Sequence, residues 1–417
     1  MMKFFSEMRP ILSALLRNKT GPLLVAIQVA LSLAMLVNAL YVVQLRLESA
    51  SRPSGLDDES TSFRLNISNQ KMGGHEDQVA LQKQEAATIR AVPGVKSVAR
   101  VNSFPVSRSG SNSGMAASRE QTNSTATAAI YLSPDSLVET WGLRLVEGSD
   151  FKSTDYLELD ASASREFPKV AIVSRALAEK LFPGTSSFVG KEFYQGTGEG
   201  AIGMRIVGVV ERLQTSGAPT DLEGEFSVLI PIRLTNEPFF GYAVRTEVGQ
   251  RDRVMKEVEE AIRKASSSPV NVHSRSMEEF RYERYRSEKG LAWMLLTVSV
   301  LLVLVTASGI VGMSSLWVAQ RQKQIGVRRA LGARRSDILS YFLIENWLIT
   351  TVGIFFGTLL ALGLNQFLVS QFELSALPVQ YLFVAPVVFW ILGCFAVYAP
   401  AWRAASISPS TATRGVT

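Results

Sequence analysis

The sequence predicts an α-helical membrane protein with four transmembrane helices, arranged one plus three, and a large external α+β domain of two subdomains. Three observations predict it. Four stretches are apolar and long enough to span a bilayer, a polar body of about 245 residues separates the first from the second, and the basic surplus is confined to three short patches flanking those stretches.

The chain has 417 residues, 47% hydrophobic and only 19% charged, where a soluble domain carries nearer a quarter charged. That apolar content excludes disorder. A single cysteine, Cys394, and two histidines, His75 and His273, exclude an intrachain disulfide and a Cys/His zinc site.

After an N-terminal segment, residues 1–22, the first span is Leu23–Val43, 21 residues without a formal charge. Such a length exceeds the roughly 7–15 apolar residues of a cleaved leader, and a basic stretch precedes it, so it reads as a permanent anchor. Leu291–Val318 is uncharged over 28 residues. The third span, 338–369, is apolar apart from Glu345 and a few amides, and the fourth, 381–402, is uncharged although it contains Pro386 and Pro400. In lipid each such helix satisfies its own backbone hydrogen bonds. Glu345, with Asn346 beside it, is the candidate intramembrane polar site, its alternative being an interfacial residue reaching the headgroups. Asn346 and Asn365 are candidates for hydrogen bonds between helices, and Cys394 reads as packing.

Lys3, Arg9, Arg17 and Lys19, then Arg321 to Arg335, then Arg403 and Arg414 supply twelve basic residues against Glu7 and Asp337. The body from Leu45 to Lys289 holds 31 basic and 33 acidic residues. Four spans put all three basic patches on one face, which the positive-inside rule makes cytoplasmic, and put residues 44–290 and the loop carrying Glu373 outside. A near-neutral folded body is unlike a nucleic-acid binder, so no nucleic-acid partner is expected.

Within the body, Phe63–Ile67, Glu76–Val92 and Val95–Val101 read as strand, helix and strand, and so do Tyr242–Thr246, Arg251–Lys264 and Val270–His273. Two β-α-β units, about 60–102 and 240–275, suggest a split ferredoxin-like layer; chance recurrence of the pattern is the alternative. Between them, Ser103–Thr127 is rich in Ser, Gly, Asn and Thr and is expected to be a mobile loop. An inserted subdomain, about 128–235, follows, with strands at Lys169–Val173 and Met204–Val210 and a helix at Arg175–Phe182 stopped by Pro183-Gly184. Neither subdomain shows a catalytic constellation, so no catalytic residue is expected.

From Met277 the chain reads MEEFRYERYRSEKG without a helix breaker before Gly290. Arg284 and Glu288 can pair at i,i+4. This predicts a helical stalk continuing into the second span, with Arg281, Tyr282, Tyr285 and Glu288 as its candidate functional residues; a flexible linker is the alternative. The loop 319–337, AQRQKQIGVRRALGARRSD, holds six basic residues together with Ile325, Val327 and Leu331, while Gly326 and Gly332 permit a bend and close backbone approach. A loop that only fixed orientation or touched anionic lipid would not need those apolar positions. Short amphipathic helices offered to a partner would.

These words carry a resemblance. QIGVRRALGARRSDI, FLIEN with Glu345, and PAWRAASISP at Pro400–Pro409 resemble the permeases of the MacB/FtsX/LolC group of ABC transporters. VAIVSRALAEKLFP, VGKEF, RIVGVV and VEGSDF resemble the MacB-type periplasmic domain. The resemblance implies a multi-pass protein of the bacterial inner membrane, with cytoplasmic tail 403–417. It implies a permease partner, in a homodimer or a heterodimer, and a nucleotide-binding subunit docked on Arg321, Gln324, Ile325, Gly326, Arg328, Arg329, Leu331, Gly332, Arg334 and Arg335. No G-x-x-x-x-G-K-[ST] phosphate loop occurs in the 417 residues. ATP and magnesium are therefore expected in the partner ATPase, with no metal or cofactor held by this chain and no catalysis of its own. A periplasmic adaptor and an outer-membrane channel are further implied partners, and membrane lipid surrounds the spans. Family members often carry glutamates where this sequence has Gln320 and Gln324. The implied function is ATP-driven mechanotransmission for export; lipoprotein release of the Lol kind and regulation of cell-wall hydrolases of the FtsX kind are the alternatives.

Overall fold

A computed structural model describes residues 15, 19–69, 73–163, 166–219, 222–237, 240–372 and 377–406. Lys3, Glu7, Arg9, Arg17, Glu373, Arg414 and the end of the PAWRAASISP word lie outside the described residues. The chain divides into two compact units, one of residues 1–47 and 290–417, the other of residues 48–289.

The first unit is built on four helices long and apolar enough to cross a membrane. They are α1 (Thr20–Ser51), α6 (Met277–Gln320), α8 (Arg335–Phe372) and α9 (Val379–Ser406). The nine-residue α7 (Gln322–Ala330) lies between α6 and α8. All four long helices overrun the apolar stretches that predict them, and α9 continues through Pro386 and Pro400. Small residues bring α1 and α8 together. A Cβ on Gly353 would stand 2.8 Å from the Ala26 carbonyl oxygen, and one on Gly357 would stand 2.9 Å from Ala30. Helices in lipid gain from such close backbone approach because apolar side chains alone do not drive them together. Polar side chains add directed contacts. Asn38 Nδ2 donates to the Ala361 carbonyl at 3.1 Å, Gln28 Nε2 to Val305 at 3.0 Å, and Thr306 Oγ1 to Ser32 at 2.7 Å.

The second unit contains two sheets. The first has four antiparallel strands, β1 (Ser62–Asn69), β2 (Val95–Val101), β11 (Gly241–Thr246) and β12 (Val270–Ser276), in the order β12-β1-β11-β2. Helix α2 (His75–Arg90) connects β1 to β2 and α5 (Arg251–Ala265) connects β11 to β12, so each helix crosses over one intervening strand. This is the split β-α-β arrangement of a ferredoxin-like layer. Val254, Val258 and Ile262 recur at helical spacing on α5 and are buried against Phe63, Leu65, Val98 and Val244 of the sheet.

The insertion between β2 and β11 forms the second sheet. Its strands are β3 (Ser111–Ala116), β4 (Ala126–Ser133), β5 (Leu145–Gly148), β6 (Leu157–Asp160), β7 (Val170–Ser174), β8 (Glu192–Gln195), β9 (Ile202–Val210) and β10 (Ser227–Thr235). The order β4-β3-β8-β9-β7-β10 closes on itself because β10 also pairs with β4, giving a six-stranded ring. Buried Met115, Ile130, Val173, Phe193, Met204, Ile206 and Val228 belong to its apolar core. Two short helices, α3 (Leu137–Trp141) and α4 (Arg175–Leu181), complete the insertion.

The expected mobile loop at Ser103–Thr127 is corrected here. It contains β3 and the start of β4, so the inserted subdomain begins near Ser111 rather than near 128. Ser103, Phe104 and Val106 within it are buried. Its composition misled because small polar residues also suit a strand packed closely against its neighbour: a Cβ on Gly114 would meet the Ser124 side chain at 2.1 Å. Val106 sits at φ 63, unusual for a β-branched residue, and its amide donates to the Thr215 carbonyl at 3.1 Å.

Candidate functional site

Two segments on or beside α6 carry the features of interest, one in each unit. At the end of α6 the amide of Arg321 donates to the Trp317 carbonyl at 3.0 Å, and Arg321 leaves helical geometry at φ −102, ψ 10. The chain re-enters helix as α7, whose Ile325 and Gly326 are buried. Its other end is a Schellman motif. The Gly332 amide donates to Arg329 and the Ala333 amide to Arg328, both at 3.1 Å. Gly332 takes φ +100 there, a conformation open to glycine and unfavourable for residues with a Cβ. Arg334 opens α8, its amide held by Asp337 Oδ2 at 2.9 Å. The segment is thus one helix and a tight turn rather than several short helices, and α8 starts at Arg335, three residues ahead of the expected span.

The basic side chains split into two sets. Arg321 Nη1 donates to both carboxylate oxygens of Glu345, at 2.9 and 2.8 Å. Glu345 is 1% exposed, so it is not an interfacial residue reaching for headgroups. Arg329 donates to the Ala405 carbonyl at 2.9 Å. Arg328 remains exposed, its guanidinium 5.0 Å above the Tyr341 ring. Gln324, Arg334 and Arg335 are exposed, and so is Gly332. Leu331 is 83% exposed and Val327, one helical turn before it, 53%. Of the ten residues singled out from the sequence, Ile325, Gly326, Arg321 and Arg329 therefore face or grip the bundle, and Val327 joins the outward set. Asn346 packs beside Gly393, while Asn365 accepts from the Leu377 amide at 3.1 Å instead of bridging two helices.

In the other unit, α6 begins at Met277 and runs unbroken through Gly290 to Gln320, as the uninterrupted run of helix formers predicts. Arg281 Nε and Nη2 grip Glu59 at 2.9 and 2.5 Å, while Nη1 donates to the carbonyls of Ala50 and Arg52 at 3.1 and 3.0 Å. Those carbonyls close the end of α1, where acceptors lack intrahelical partners and a cation is favoured. Arg284, one turn on, donates to the Gly217 and Ala218 carbonyls at 2.8 Å each and lies 3.6 Å from Glu288. Tyr285 is buried under both guanidiniums, 5.9 Å from Arg281 and 5.2 Å from Arg284. Phe280 is buried against Phe104 at 5.5 Å, and Phe104 meets Trp141 edge-on. Tyr282 is exposed and takes no part in this anchor.

Burial alone raises the Glu59 carboxyl, but hydrogen bonds from Arg281 and Ser54 and the Arg281 charge hold it below its ordinary value. A hydrogen bond from Arg275 and its charge likewise lower Glu283 on the stalk. Sequence reasoning missed Glu59, Phe280 and Arg284 as anchor residues. The 281/284 spacing places two arginines on one helix face, but nothing local marks Glu59. Among the described residues no cluster of three or more His, Cys, Asp or Glu side chains could hold a metal ion.

Comparison with known proteins decides the family. Residues 25–265 match the model of the MacB-like periplasmic core domain, and residues 296–409 match the FtsX-like permease C-terminal model. The chain belongs to the MacB/FtsX-like ABC permease family. The permease model takes in α7 and the Arg321–Glu345 pair; the core-domain model takes in both sheets of the second unit apart from the end strand β12. Two curated relatives of this permease are the pyoverdine export ATP-binding/permease protein PvdT of Pseudomonas savastanoi and the macrolide export ATP-binding/permease protein MacB of Pasteurella multocida. The first is 28% identical over 64% of this chain and 40% of its own length, the second 27% over 70% and 43%. The chain therefore spans about two fifths of the length of the curated relatives it matches. A solved domain of a putative permease from Porphyromonas gingivalis is 15% identical, covers 53% of this chain and 92% of that one, and has a TM-score of 0.33.

Proposed function

We propose that this permease transmits force for export: a nucleotide-binding subunit outside these 417 residues docks on α7, and its ATP-driven movement passes through α6 to the periplasmic domain. The observation that carries the reading is the single helix α6, which runs from Met277, just ahead of the Arg281–Arg284 anchor, to Gln320, with only Arg321 between it and α7. A continuous helix transmits displacement along its axis in a way a flexible linker cannot. The docking surface is Gln324, Val327, Arg328, Leu331, Arg334 and Arg335. Val327 and Leu331 are a turn apart and exposed, as unpartnered apolar residues at an interface core are, and the arginines form its polar rim. The positive-inside rule supports a cytoplasmic position for this surface, and on this reading the membrane is the bacterial inner membrane. The relatives' names, macrolide export and pyoverdine export, favour export as the outcome. A second permease copy or a related chain completes the unit, and a periplasmic adaptor with an outer-membrane channel would continue the route.

The test is purification in mild detergent followed by identification of bound chains. The wild type should retain a protein that carries a phosphate loop and hydrolyses magnesium-ATP. Arg328→Glu with Leu331→Asp should lose it. Equal recovery with wild type and double variant would overturn the assignment of α7 as the docking surface.

A further inference from the structure

The Arg321–Glu345 pair is not accounted for by docking. Arg321 sits at the single non-helical residue between α6 and α7, yet its Nη1 points inward to both oxygens of Glu345, on α8. The same nitrogen reaches the Tyr341 hydroxyl at 3.4 Å, and the Arg328 guanidinium covers the Tyr341 ring from α7. Arg329 ties α7 to the last turn of α9 through the Ala405 carbonyl. Two arginines of one short segment, Arg321 and Arg329, are thus turned toward the bundle while Val327, Arg328 and Leu331 are left outside.

We propose that Arg321 and Glu345 are positioning residues forming a latch that makes α7 and α8 move as one body. The physical reason is the cost of separation. A carboxylate as buried as Glu345 cannot lose its guanidinium without being left an uncompensated charge, so displacement of α7 carries Glu345 and α8 with it. Arg321 is on this account a transmission residue and does not contact the docked subunit. The inference rests on the proposed function for its biological meaning, but the latch is testable on the chain alone.

The experiment is hydrogen–deuterium exchange on the full chain in nanodiscs of phosphatidylethanolamine and phosphatidylglycerol, without any partner. Glu345→Gln should accelerate amide exchange across residues 322–330 by about tenfold, as loss of a local anchor lowers the opening free energy of one segment. Exchange within residues 23–43 of α1, in the same unit as Glu345, should stay unchanged, which shows that the variant's membrane unit is folded. The charge swap Arg321→Glu with Glu345→Arg should return the 322–330 rates to near wild type, a rescue that simple loss of packing would not give. Arg321→Lys keeps the charge but ends one bond short of the Nη1 that meets both oxygens, and should fall between wild type and Glu345→Gln; it serves as the readout if Glu345→Gln does not fold. Unchanged 322–330 rates in both single variants, or a folded swap that stays fast, would overturn the latch. A second arm adds the nucleotide-binding subunit to the same discs. Glu345→Gln should still bind it but lose permease-dependent stimulation of ATP hydrolysis. Failure of wild type to bind that subunit would sink the docking reading while leaving the exchange result standing.

Discussion

Arg281 and Glu59, 222 positions apart in sequence, meet through two guanidinium nitrogens at 2.9 and 2.5 Å. The third nitrogen of Arg281 holds the Ala50 and Arg52 carbonyls. One side chain on the stalk thereby fixes the end of the first helix and the entry to strand β1 within the periplasmic unit.

Removing that grip should loosen the periplasmic unit. Arg281→Ala removes the guanidinium from Glu59 and from two carbonyls, leaving Glu59 only Ser54 as a donor, and is expected to destabilise the unit by about 2 kcal/mol, the scale of charge-assisted hydrogen bonds in a half-buried setting. Thermal unfolding of the full chain in detergent, followed by near-ultraviolet circular dichroism, measures it. Arg281→Lys should recover only part, because an ammonium cannot reproduce the bidentate fork. A midpoint equal to wild type in Arg281→Ala would show that the contact contributes nothing.

The same pair sets an acid limit. The Glu59 and Glu283 carboxyls lie below their ordinary value of 4.5 in the folded protein. A depressed carboxyl contributes stability that is fully present above its unfolded pKa and is lost as the pH falls through its folded pKa. Stability of the unit should therefore hold from neutral pH down to about 4.5 and decline below it. Glu59→Gln should show a shallower decline over that window in the same unfolding assay.

The turn after α7 depends on Gly332 at φ +100. No atom lies within 4 Å of a Cβ placed there, so substitution is opposed by backbone conformation alone. Gly332→Ala is expected to cost about 1–2 kcal/mol of local stability, and Gly332→Asn less, since asparagine visits positive φ more readily. Faster amide exchange at residues 328–334, larger for alanine than for asparagine, is the readout.

The exposed and engaged halves of α7 should separate in mutagenesis. Leu331→Asp alters a side chain that is 83% exposed and should leave the unfolding midpoint within about 0.5 kcal/mol of wild type, as surface substitutions do. Ile325→Asp places a charge among buried apolar residues and should destabilise the membrane unit strongly. Reversed sensitivities in a detergent thermal-shift series would contradict this division.

The sequence alone determined the four apolar helices, the continuous stalk and the ferredoxin-like strand–helix–strand halves. These are local properties: an uncharged run long enough for a bilayer, an unbroken series of helix formers, and apolar residues at spacings of 3.6 or 2. Local pattern also brought out α7 as basic with apolar residues, and it marked Gly332 as a bend. Tertiary structure alone decided which arginines of that segment face out. Arg321 and Arg328 look alike in sequence, but one meets a buried carboxylate 24 residues away on α8 and the other lies over a tyrosine ring at the surface. It likewise decided that Ser103–Thr127 contributes a strand to a closed ring, because a Ser- and Gly-rich strand carries no periodic apolar signal and is held by pairing with distant neighbours. Propensity and hydrophobic period are written into neighbouring residues, whereas the partner of a buried charge or of a strand edge is supplied by whatever the folded chain brings against it.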